Sequence, residues 1–289
     1  MINKKILILG ANGLLGNNIY NFLKNKKLTL YTCTRKKNNN FNNNFAYGNL
    51  LKKNSKKKIE KIIKKLNPYY VINCTGITKH KKSNFAEMKK INYDFVCQIL
   101  SLKTKYQFKY IHLSTDCVFS GKDGNYKETS FQDATDNYGI TKSMAEKLCV
   151  KDKNVLTLRC STIGHENFTK NGLLEWFLSK SKVFGFKKAF FSGPTSLELA
   201  KIIFKFILDK NVLKRGIYNI ACQKISKFKL LQIINKIYKK KIIIMSKNNF
   251  IIDRSLNPNK FKNKTKYLIS SWKVQIKNMY KFKNEISKK

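Results

Sequence analysis

The sequence predicts an α/β fold in which a doubly wound parallel sheet is joined to a smaller C-terminal lobe. Short apolar runs typical of buried strands alternate with helical patterns through the first 160 residues. A glycine-rich turn directly follows the first apolar run and opens the first helical pattern. Beyond residue 162 the alternation loosens, although no repeat or linker separates the two parts of the chain.

The individual elements follow from these patterns. Strands are predicted at Lys5–Gly10, Leu28–Cys33, Tyr69–Cys74, Phe108–Ser114 and Val155–Cys160. Helices are predicted at Leu14–Leu23, Ile59–Leu66, Phe85–Leu102 and Tyr138–Val150, and a polar loop at 38–44. Because strands that alternate with helices at this spacing build βαβ units, the sheet is expected to be parallel and of Rossmann type.

The net charge is extreme, with 60 Lys and Arg against 16 Asp and Glu, or +44. A charge of this size suggests a nucleic acid or another polyanion as partner. However, only four of the basic residues are Arg, on which nucleic-acid surfaces rely for bidentate contacts. We therefore expect no specific nucleic-acid binding. The apolar content of 42% excludes wholesale disorder.

The seven cysteines are odd in number, and no two have CxxC spacing. Without a secretory signal pattern, they are expected to be reduced thiols of a cytoplasmic protein. Apolar stretches such as Ile202–Leu208 are interrupted by Lys and too short to span a bilayer, so no membrane insertion is expected.

The glycine-rich turn has the spacing GxxGxxG, from Gly10 through Asn12, Gly13, Leu14 and Leu15 to Gly16. The first Gly permits a tight turn, the second lets the backbone approach a pyrophosphate, and the third allows close packing of helix on strand. The helix N-terminus adds NH donors and a partial positive charge. This turn predicts a dinucleotide site.

The end of the second predicted strand bears on the choice of dinucleotide. NAD sites commonly place an acidic residue here, but this chain offers Arg35 and Lys36, which suit a 2′-phosphate. Lys36 could equally reflect the general lysine excess, whereas Arg is rare in this chain. NADPH is therefore the expected cofactor, and NADH remains open.

A Tyr–Lys pair indicates acid–base chemistry. Tyr138 and Lys142 are four residues apart and so share one face of a predicted helix. A phenol has a pKa near 10, and a nearby ammonium lowers it toward a useful range. The preceding strand ends in Ser114 and Thr115, whose side chains point in opposite directions if extended, so one of them would serve the site.

These motifs resemble the extended short-chain dehydrogenase/reductase superfamily, and within it the dTDP-4-dehydrorhamnose reductases and related nucleotide-sugar 4-ketoreductases. The resemblance covers nearly the whole chain. It rests on GANGLLG, STDCVFSGKDGNYKE, DNYGITKSMAEK, GPTSLELA, GIYNIACQKISKFKLL and IDRSLNPNKF.

The resemblance implies a role for each matching position. Thr115, Tyr138 and Lys142 would form the catalytic triad, and NADPH would reduce the C4 keto group of a nucleotide-linked 4-keto-6-deoxy sugar. Its contacts would include the glycine turn, Arg35, Asn49, Cys74, Thr75 and Gly76. The sugar nucleotide would contact Thr115, Asp116, Thr162 and Arg254.

The same resemblance implies a division at residue 162. Residues 1–162 would bind the dinucleotide and 163–289 would form the substrate-binding lobe, with the strand pattern at 216–221 able to return to the main sheet. Such a reductase would serve surface-polysaccharide or O-antigen precursor synthesis. A homodimer is possible for such an enzyme. Some relatives use Mg²⁺, but no carboxylate cluster in this sequence predicts a metal site.

Two positions depart from the family pattern. The family often has Asp where this chain has Asn49, and the rhamnose enzyme has Trp where this chain has Thr162. A UDP-2-acetamido-2,6-dideoxy-4-hexulose reductase is therefore an alternative. A non-catalytic NADP-binding regulatory subunit is a second alternative, and a polyanion binder a third.

Overall fold

Seven parallel strands form the central sheet of the computed structural model, which describes residues 4–78, 83–152, 154–168 and 172–287. In sheet order they are β3 (Asn44–Ala46), β2 (Thr29–Thr34), β1 (Lys5–Leu9), β4 (Tyr70–Asn73), β5 (Lys109–Ser114), β6 (Val155–Arg159) and β9 (Gly216–Asn219). The chain order reverses between β1 and β4, as in a doubly wound sheet. The predicted α/β fold class is confirmed.

Ten α-helices lie in the described ranges, either on this sheet or in the second part of the chain. They are α1 (Leu14–Leu23), α2 (Lys53–Leu66), α3 (Phe85–Lys89), α4 (Phe95–Tyr106), α5 (Asn137–Lys151), α6 (Leu173–Leu178), α7 (Ser196–Ile203), α8 (Lys227–Ile237), α9 (Asn259–Thr265) and α10 (Trp272–Ser287). The apolar stripes of α1 and α7 pack on one face, and those of α2 and α4 on the other. None of the helices within the described ranges is both long and apolar enough to cross a membrane.

The second part of the chain forms two small sheets beside the main one. Strand β8 (Ala189–Phe191) lies between β10 (Ile225–Ser226) and β12 (Ile252–Asp253), and β7 (Lys182–Phe186) pairs in parallel with β11 (Ile243–Lys247). These sheets and α6, α8 and α10 enclose a separate apolar cluster that includes Phe177, Leu230 and Trp272. This part also contributes β9, which pairs with β6 in the main sheet.

Besides α2, which begins at Lys53 and not at the predicted Ile59, the structure differs from the predicted elements at two places in the first part. The predicted helix Phe85–Leu102 contains a π-helical turn at Lys90–Asp94, which separates α3 from α4. Such turns are frequent at functional sites. The polar loop at 38–44 leads into the short edge strand β3, whose Asn44 amide donates to Thr32 across the pair at 2.9 Å. A three-residue polar strand has no periodicity by which to predict it.

Candidate active site

The glycine turn is shaped by the backbone around it. Gly10 has φ +78°, in the left-handed region, and a Cβ there would lie 3.0 Å from the Cys74 carbonyl carbon. A Cβ on Gly16 would lie 2.5 Å from the Gly10 oxygen. By contrast, a Cβ on Gly13 would meet only the Gly10 oxygen, at 3.4 Å. A side chain at Gly10 or Gly16 would therefore clash with the protein backbone, whereas Gly13 has no such clash.

The predicted cofactor-contacting positions surround this turn. The Asn12 side chain accepts a hydrogen bond from Asn38 at 2.8 Å, and the first turn of α1, with Leu14 and Leu15, follows Gly13 without a side-chain cap. Its NH groups are thus left for a ligand. Arg35 lies exposed at the end of β2.

The remaining predicted positions are Asn49, in the loop after β3, and the segment Cys74–Gly76, after β4. Asn49 is turned toward its own loop, where its side chain accepts from the Leu51 NH at 3.1 Å. The segment Cys74–Gly76 directly follows β4, the strand beside β1. The Thr75 hydroxyl is buried beside the Tyr47 hydroxyl, whose pKa it lowers against the larger, opposite effect of burial.

Helix α5 positions the Tyr–Lys pair. Its first NH groups are capped by the Asp136 side chain, which accepts from the Gly139 NH at 2.7 Å. Any Cβ on Gly139 would overlap the Cys117 carbonyl oxygen, so this glycine lets α5 lie directly against the short 3-10 turn Asp116–Val118. Tyr138 is thereby brought beside Thr115, with which it shares a hydrogen bond.

Burial sets the protonation of the Tyr–Lys pair. It raises the pKa of Tyr138 above its ordinary value, and the hydrogen bond with Thr115 only partly opposes this rise. Burial also lowers the pKa of Lys142, whose Nζ donates to the Leu113 carbonyl at 2.7 Å. The expected lowering of the Tyr138 pKa by Lys142 is not seen in this structure, because burial of the phenol is the largest cause and raises the pKa, and Lys142 is not among the groups that shift it. Tyr138 is a neutral phenol at neutral pH.

The hydroxyls of Ser114 and Thr115 point in opposite directions, as expected for neighbouring residues of an extended chain. The Ser114 hydroxyl points away from Tyr138 and donates to the Glu146 carboxylate at 2.5 Å. The Thr115 hydroxyl accepts from the Cys117 NH at 3.2 Å and faces the phenol. Of the two residues left open by the sequence, Thr115 is the one that lies at the Tyr138 side chain.

The four predicted sugar-contacting residues come together at the same edge of the sheet. Thr115 and the buried Asp116 lead from β5 into the 3-10 turn, and Thr162 follows β6. Arg254 reaches this turn from the second part of the chain: its Nε donates to the Phe119 carbonyl at 3.0 Å, and Nη2 lies 3.9 Å from the Asp136 carboxylate. Asp253 pairs with Lys224 at 2.9 Å instead of with Arg254.

Asn92 is a positioning residue that sequence patterns alone did not indicate. It lies in the π-helical turn and is buried, and its amide bonds both the NH of Ile77 (2.8 Å) and the carbonyl of Ile77 (3.1 Å). The same amide donates to Thr141 at 3.1 Å, next to Lys142. Asn92 thus ties the segment after Gly76 to α5. Its only sequence signal was a polar residue inside an apolar helical pattern.

The strand order β1-β4-β5-β6 explains why these residues meet. Parallel strands end at one edge of the sheet, so the glycine turn, Cys74–Gly76, Thr115 and Thr162 lie side by side there. The arrangement can hold a dinucleotide along β1 and β4 and offer a phenolic proton beside it. Within the described ranges, no group of three or more His, Cys, Asp or Glu side chains could hold a metal ion.

Comparisons with solved structures agree with this fold. The dTDP-4-dehydrorhamnose reductase of Bacillus anthracis, solved with NADP, has TM-score 0.81 at 16% identity and covers 96% of this chain and 99% of its own. A dTDP-4-dehydrorhamnose reductase of Clostridium acetobutylicum has TM-score 0.77 at 20% identity, covering 97% and 99%. The Bordetella bronchiseptica enzyme WbmH, solved with NAD⁺, has TM-score 0.79 at 16% identity, covering 98% and 99%.

Sequence comparison gives a family but no individual relative. A search of curated proteins found no match to this chain. The family model described as the RmlD substrate binding domain matches residues 4–281. Because this match spans nearly the whole sequence, the chain belongs to the RmlD substrate binding domain family.

Proposed function

We propose that this protein is an NADPH-dependent reductase of the C4 keto group of a nucleotide-linked 4-keto-6-deoxy sugar. The observation that carries the proposal is the position of Thr115, Tyr138 and Lys142 beside the glycine turn, at one edge of the sheet. Membership of the family and the NADP complex of the Bacillus anthracis reductase support the same reaction class. The reaction would supply surface-polysaccharide precursors in the cytoplasm.

The residues around the glycine turn fit a dinucleotide. The lack of a side chain at Gly13 and the uncapped first turn of α1 suit a pyrophosphate. Arg35 would pair with a 2′-phosphate, which is the reason to favour NADPH over NADH. When bound, NADPH supplies the hydride for the sugar carbonyl carbon.

The chain's own residues would supply the proton and hold the carbonyl. Because burial keeps Tyr138 neutral, its phenol can donate a proton to the oxygen that becomes an alkoxide as the carbonyl is reduced. The Thr115 hydroxyl would orient the same oxygen by a hydrogen bond. Arg254, which reaches the site from the second part of the chain, would pair with the diphosphate of the sugar nucleotide.

The test is product analysis of NADPH oxidation across dTDP- and UDP-linked 4-keto-6-deoxy sugars. We expect turnover of at least one of them, with a C4 alcohol as product. The UDP-linked 2-acetamido sugar is the arm that separates the two substrate hypotheses at Thr162. Absence of turnover across the whole panel, with NADPH bound, would favour a non-catalytic NADP-binding role.

Tyr138→Phe should lower kcat by about 10²–10⁴-fold, because it removes the donated proton and keeps the ring. NADPH binding, followed by fluorescence titration, should be nearly unchanged. Tyr69→Phe, at an exposed tyrosine, is the matched control and should keep full activity. Wild-type kcat in Tyr138→Phe would refute the assignment of the proton donor.

Arg35→Ala tests the choice of cofactor. Loss of a charge-assisted contact to a 2′-phosphate should weaken NADPH binding by about tenfold and leave NADH binding nearly unchanged. Lys37→Ala, at an exposed lysine of the same loop, is the control. Equal loss for both cofactors would contradict a 2′-phosphate contact at Arg35.

A further inference from the structure

A fully buried ion pair joins α5 to the central sheet. Glu146 lies on α5 and Arg159 at the end of β6, and the side chains of both are 0% exposed. Arg159 Nε donates to one carboxylate oxygen at 3.1 Å, and its Nη2 donates to the other. This bidentate arrangement fixes the orientation of both groups as well as their separation.

Glu146 links the helix that carries Tyr138 to the strand that carries Thr115. Tyr138, Lys142 and Glu146 follow one another at four-residue steps and therefore share a face of α5. The Ser114 hydroxyl donates to Glu146 at 2.5 Å, one residue before Thr115. The carboxylate thus holds the end of β5 against α5 at the place where the Thr115–Tyr138 contact is made.

Arg159 extends the same network to the segment 119–132, which we call the site loop because it lies between the 3-10 turn and α5. Its Nη1 donates to the Lys127 carbonyl at 3.2 Å, and its guanidinium carbon lies 4.8 Å from the Phe119 ring centre. From the other end of the loop, the Gln132 amide donates to Glu146. The site loop is therefore fastened to the ion pair at three points.

The network also reaches the part of the chain that carries Arg254. Arg159 Nη1 donates to the Asn219 side chain at 3.1 Å, and the Asn219 amide donates to the carbonyls of Tyr126 (2.8 Å) and Asn257 (3.2 Å). Each of these partners lies within three residues of Arg254 or in the site loop. One guanidinium thereby connects α5, the site loop and the segment that follows β12.

A buried ion pair is a poor device for stability alone, since desolvation of two charges offsets much of their attraction. The partners of this pair lie at the end of β5 beside Thr115, in the site loop between Asp116 and Tyr138, and on β9. We propose that Glu146 and Arg159 are positioning residues that set Thr115 and Tyr138 against the site loop for proton transfer to the sugar. This inference rests on the proposed reductase function, and neither side chain touches the substrate.

The decisive variant removes both charges together. Glu146→Leu/Arg159→Met leaves no unpaired buried charge, although Ser114, Gln132 and Asn219 each lose a hydrogen-bond partner, so the variant should still fold, with a melting temperature somewhat below that of the wild type. Its affinity for NADPH should remain within about twofold, because the glycine turn lies outside the network. In contrast, its kcat should fall at least about tenfold, since misplacement of the site loop and Thr115 impairs proton transfer.

Lys103→Met/Asp152→Leu is the matched control. This pair, with its atoms 2.7 Å apart, joins α4 to the opposite end of α5 and should leave kcat unchanged when replaced. Ser114→Ala is a milder variant that keeps the ion pair and removes only its bond to β5. Its kcat should fall several-fold with unchanged NADPH affinity, and this result is available even if the double variant fails to fold.

The outcomes separate this inference from the proposed function. Stable variants at Glu146/Arg159 and Ser114 with wild-type kcat would overturn the inference and leave the reductase function intact. A wild-type protein that turns over no 4-keto sugar would overturn the function itself. In that case hydrogen exchange still tests the network: amides of the site loop should exchange at least about tenfold faster in the double variant, with β2 unchanged. Equal exchange would overturn the network's role.

Discussion

The two faces of the central sheet are both buried, but they are built from different chemistry. On the face packed by α1 and α7, the middle strands present Ile72, Ile111, Leu113, Leu156 and Leu158. On the other face, the alternating positions toward the carboxyl ends of the same strands present Asn73, His112, Ser114, Thr157 and Arg159 beneath α5, whereas the positions nearer their amino ends, Val71, Tyr110 and Val155, join the apolar cluster of α2 and α4. The set packed by α1 and α7 is apolar and the set beneath α5 is polar, although every one of these side chains is buried.

This contrast separates two tasks: the apolar face mainly stabilises the sheet, and the polar positions mainly fix the orientation of particular side chains. Apolar contacts are non-directional and scale with the area buried, so the α1/α7 face can hold the sheet without defining any single atom's place. Hydrogen bonds and ion pairs are directional, and a buried one that loses its partner is costly. The α5 face is therefore suited to fix Thr115, Tyr138 and Lys142 relative to one another.

Lys142→Met is the change on the α5 side with the largest expected effect. It removes the hydrogen bond from Nζ to the Leu113 carbonyl and the positive charge one helical turn from Tyr138. We expect kcat to fall by about 10³-fold, or about 4 kcal/mol of transition-state stabilisation. Steady-state kinetics with the accepted 4-keto sugar measure it. A change in stability alone, with kcat retained, would contradict the division between the two faces.

Leu158→Ala is the corresponding change on the apolar face. Leu158 is fully buried in β6, one residue before Arg159, so its truncation leaves a cavity beneath α7. The free energy of unfolding should fall by about 3 kcal/mol, whereas kcat per folded molecule should be nearly unchanged. Denaturant titration and kinetics on the same sample give both numbers. Val274→Ala, at an exposed valine, is the control for the stability measurement.

His112 offers a smaller test that depends on pH. It is 1% exposed on the α5 face, its Nδ1 lies 3.3 Å from the Tyr110 hydroxyl, and burial lowers its pKa well below 6.5, with Lys142 adding to the shift. The unfolded chain binds a proton near pH 6.5 and the folded chain does not. Stability should therefore decline as pH falls below about 6.5, by up to about 1.4 kcal/mol per pH unit.

His112→Gln removes this titration and keeps a polar side chain on the same face. The wild type should lose stability relative to the variant below pH 6.5, and the difference between them should be constant above pH 7.5. Denaturant midpoints measured from pH 5 to 8.5 provide the comparison. If stability depended on pH in the same way for both proteins, His112 would have the same pKa in the folded and the unfolded chain, and this prediction would be wrong.

Local patterns predicted much of this architecture, and the reason is visible in particular elements. The strand at Lys5–Leu9 is an apolar run ending at a glycine, and α5 begins at a capped position before Tyr138. Signals of this kind act over a few residues, so a sequence carries them directly. The strands β7, β11 and β12 carried no such signal: β12 has two residues, and β7 and β11, although five residues each, pair with each other from distant parts of the chain.

The candidate site shows the same division. The spacing of Gly10, Gly13 and Gly16 by itself predicts a dinucleotide-binding turn. Helical periodicity by itself puts Tyr138 and Lys142 on one face of a helix. The direction of the Tyr138 pKa shift was wrong when judged from Lys142, because the burial of a phenol depends on everything packed around it. No sequence pattern indicated the contacts of Asn92 and Arg159, because their hydrogen-bond partners lie far away along the chain.

The sequence by itself determined the α/β class, the glycine turn and the helical register of Tyr138, Lys142 and Glu146, since each depends on backbone geometry within a few residues. Strand alternation alone left Ser114 and Thr115 open, and the tertiary contacts agree with the family resemblance that Thr115 faces Tyr138; the link that Arg159 makes between α5 and the site loop is visible only in the fold. The physical reason is that a buried polar group takes its role from its partners. Here those partners lie 13 to 60 positions away along the chain.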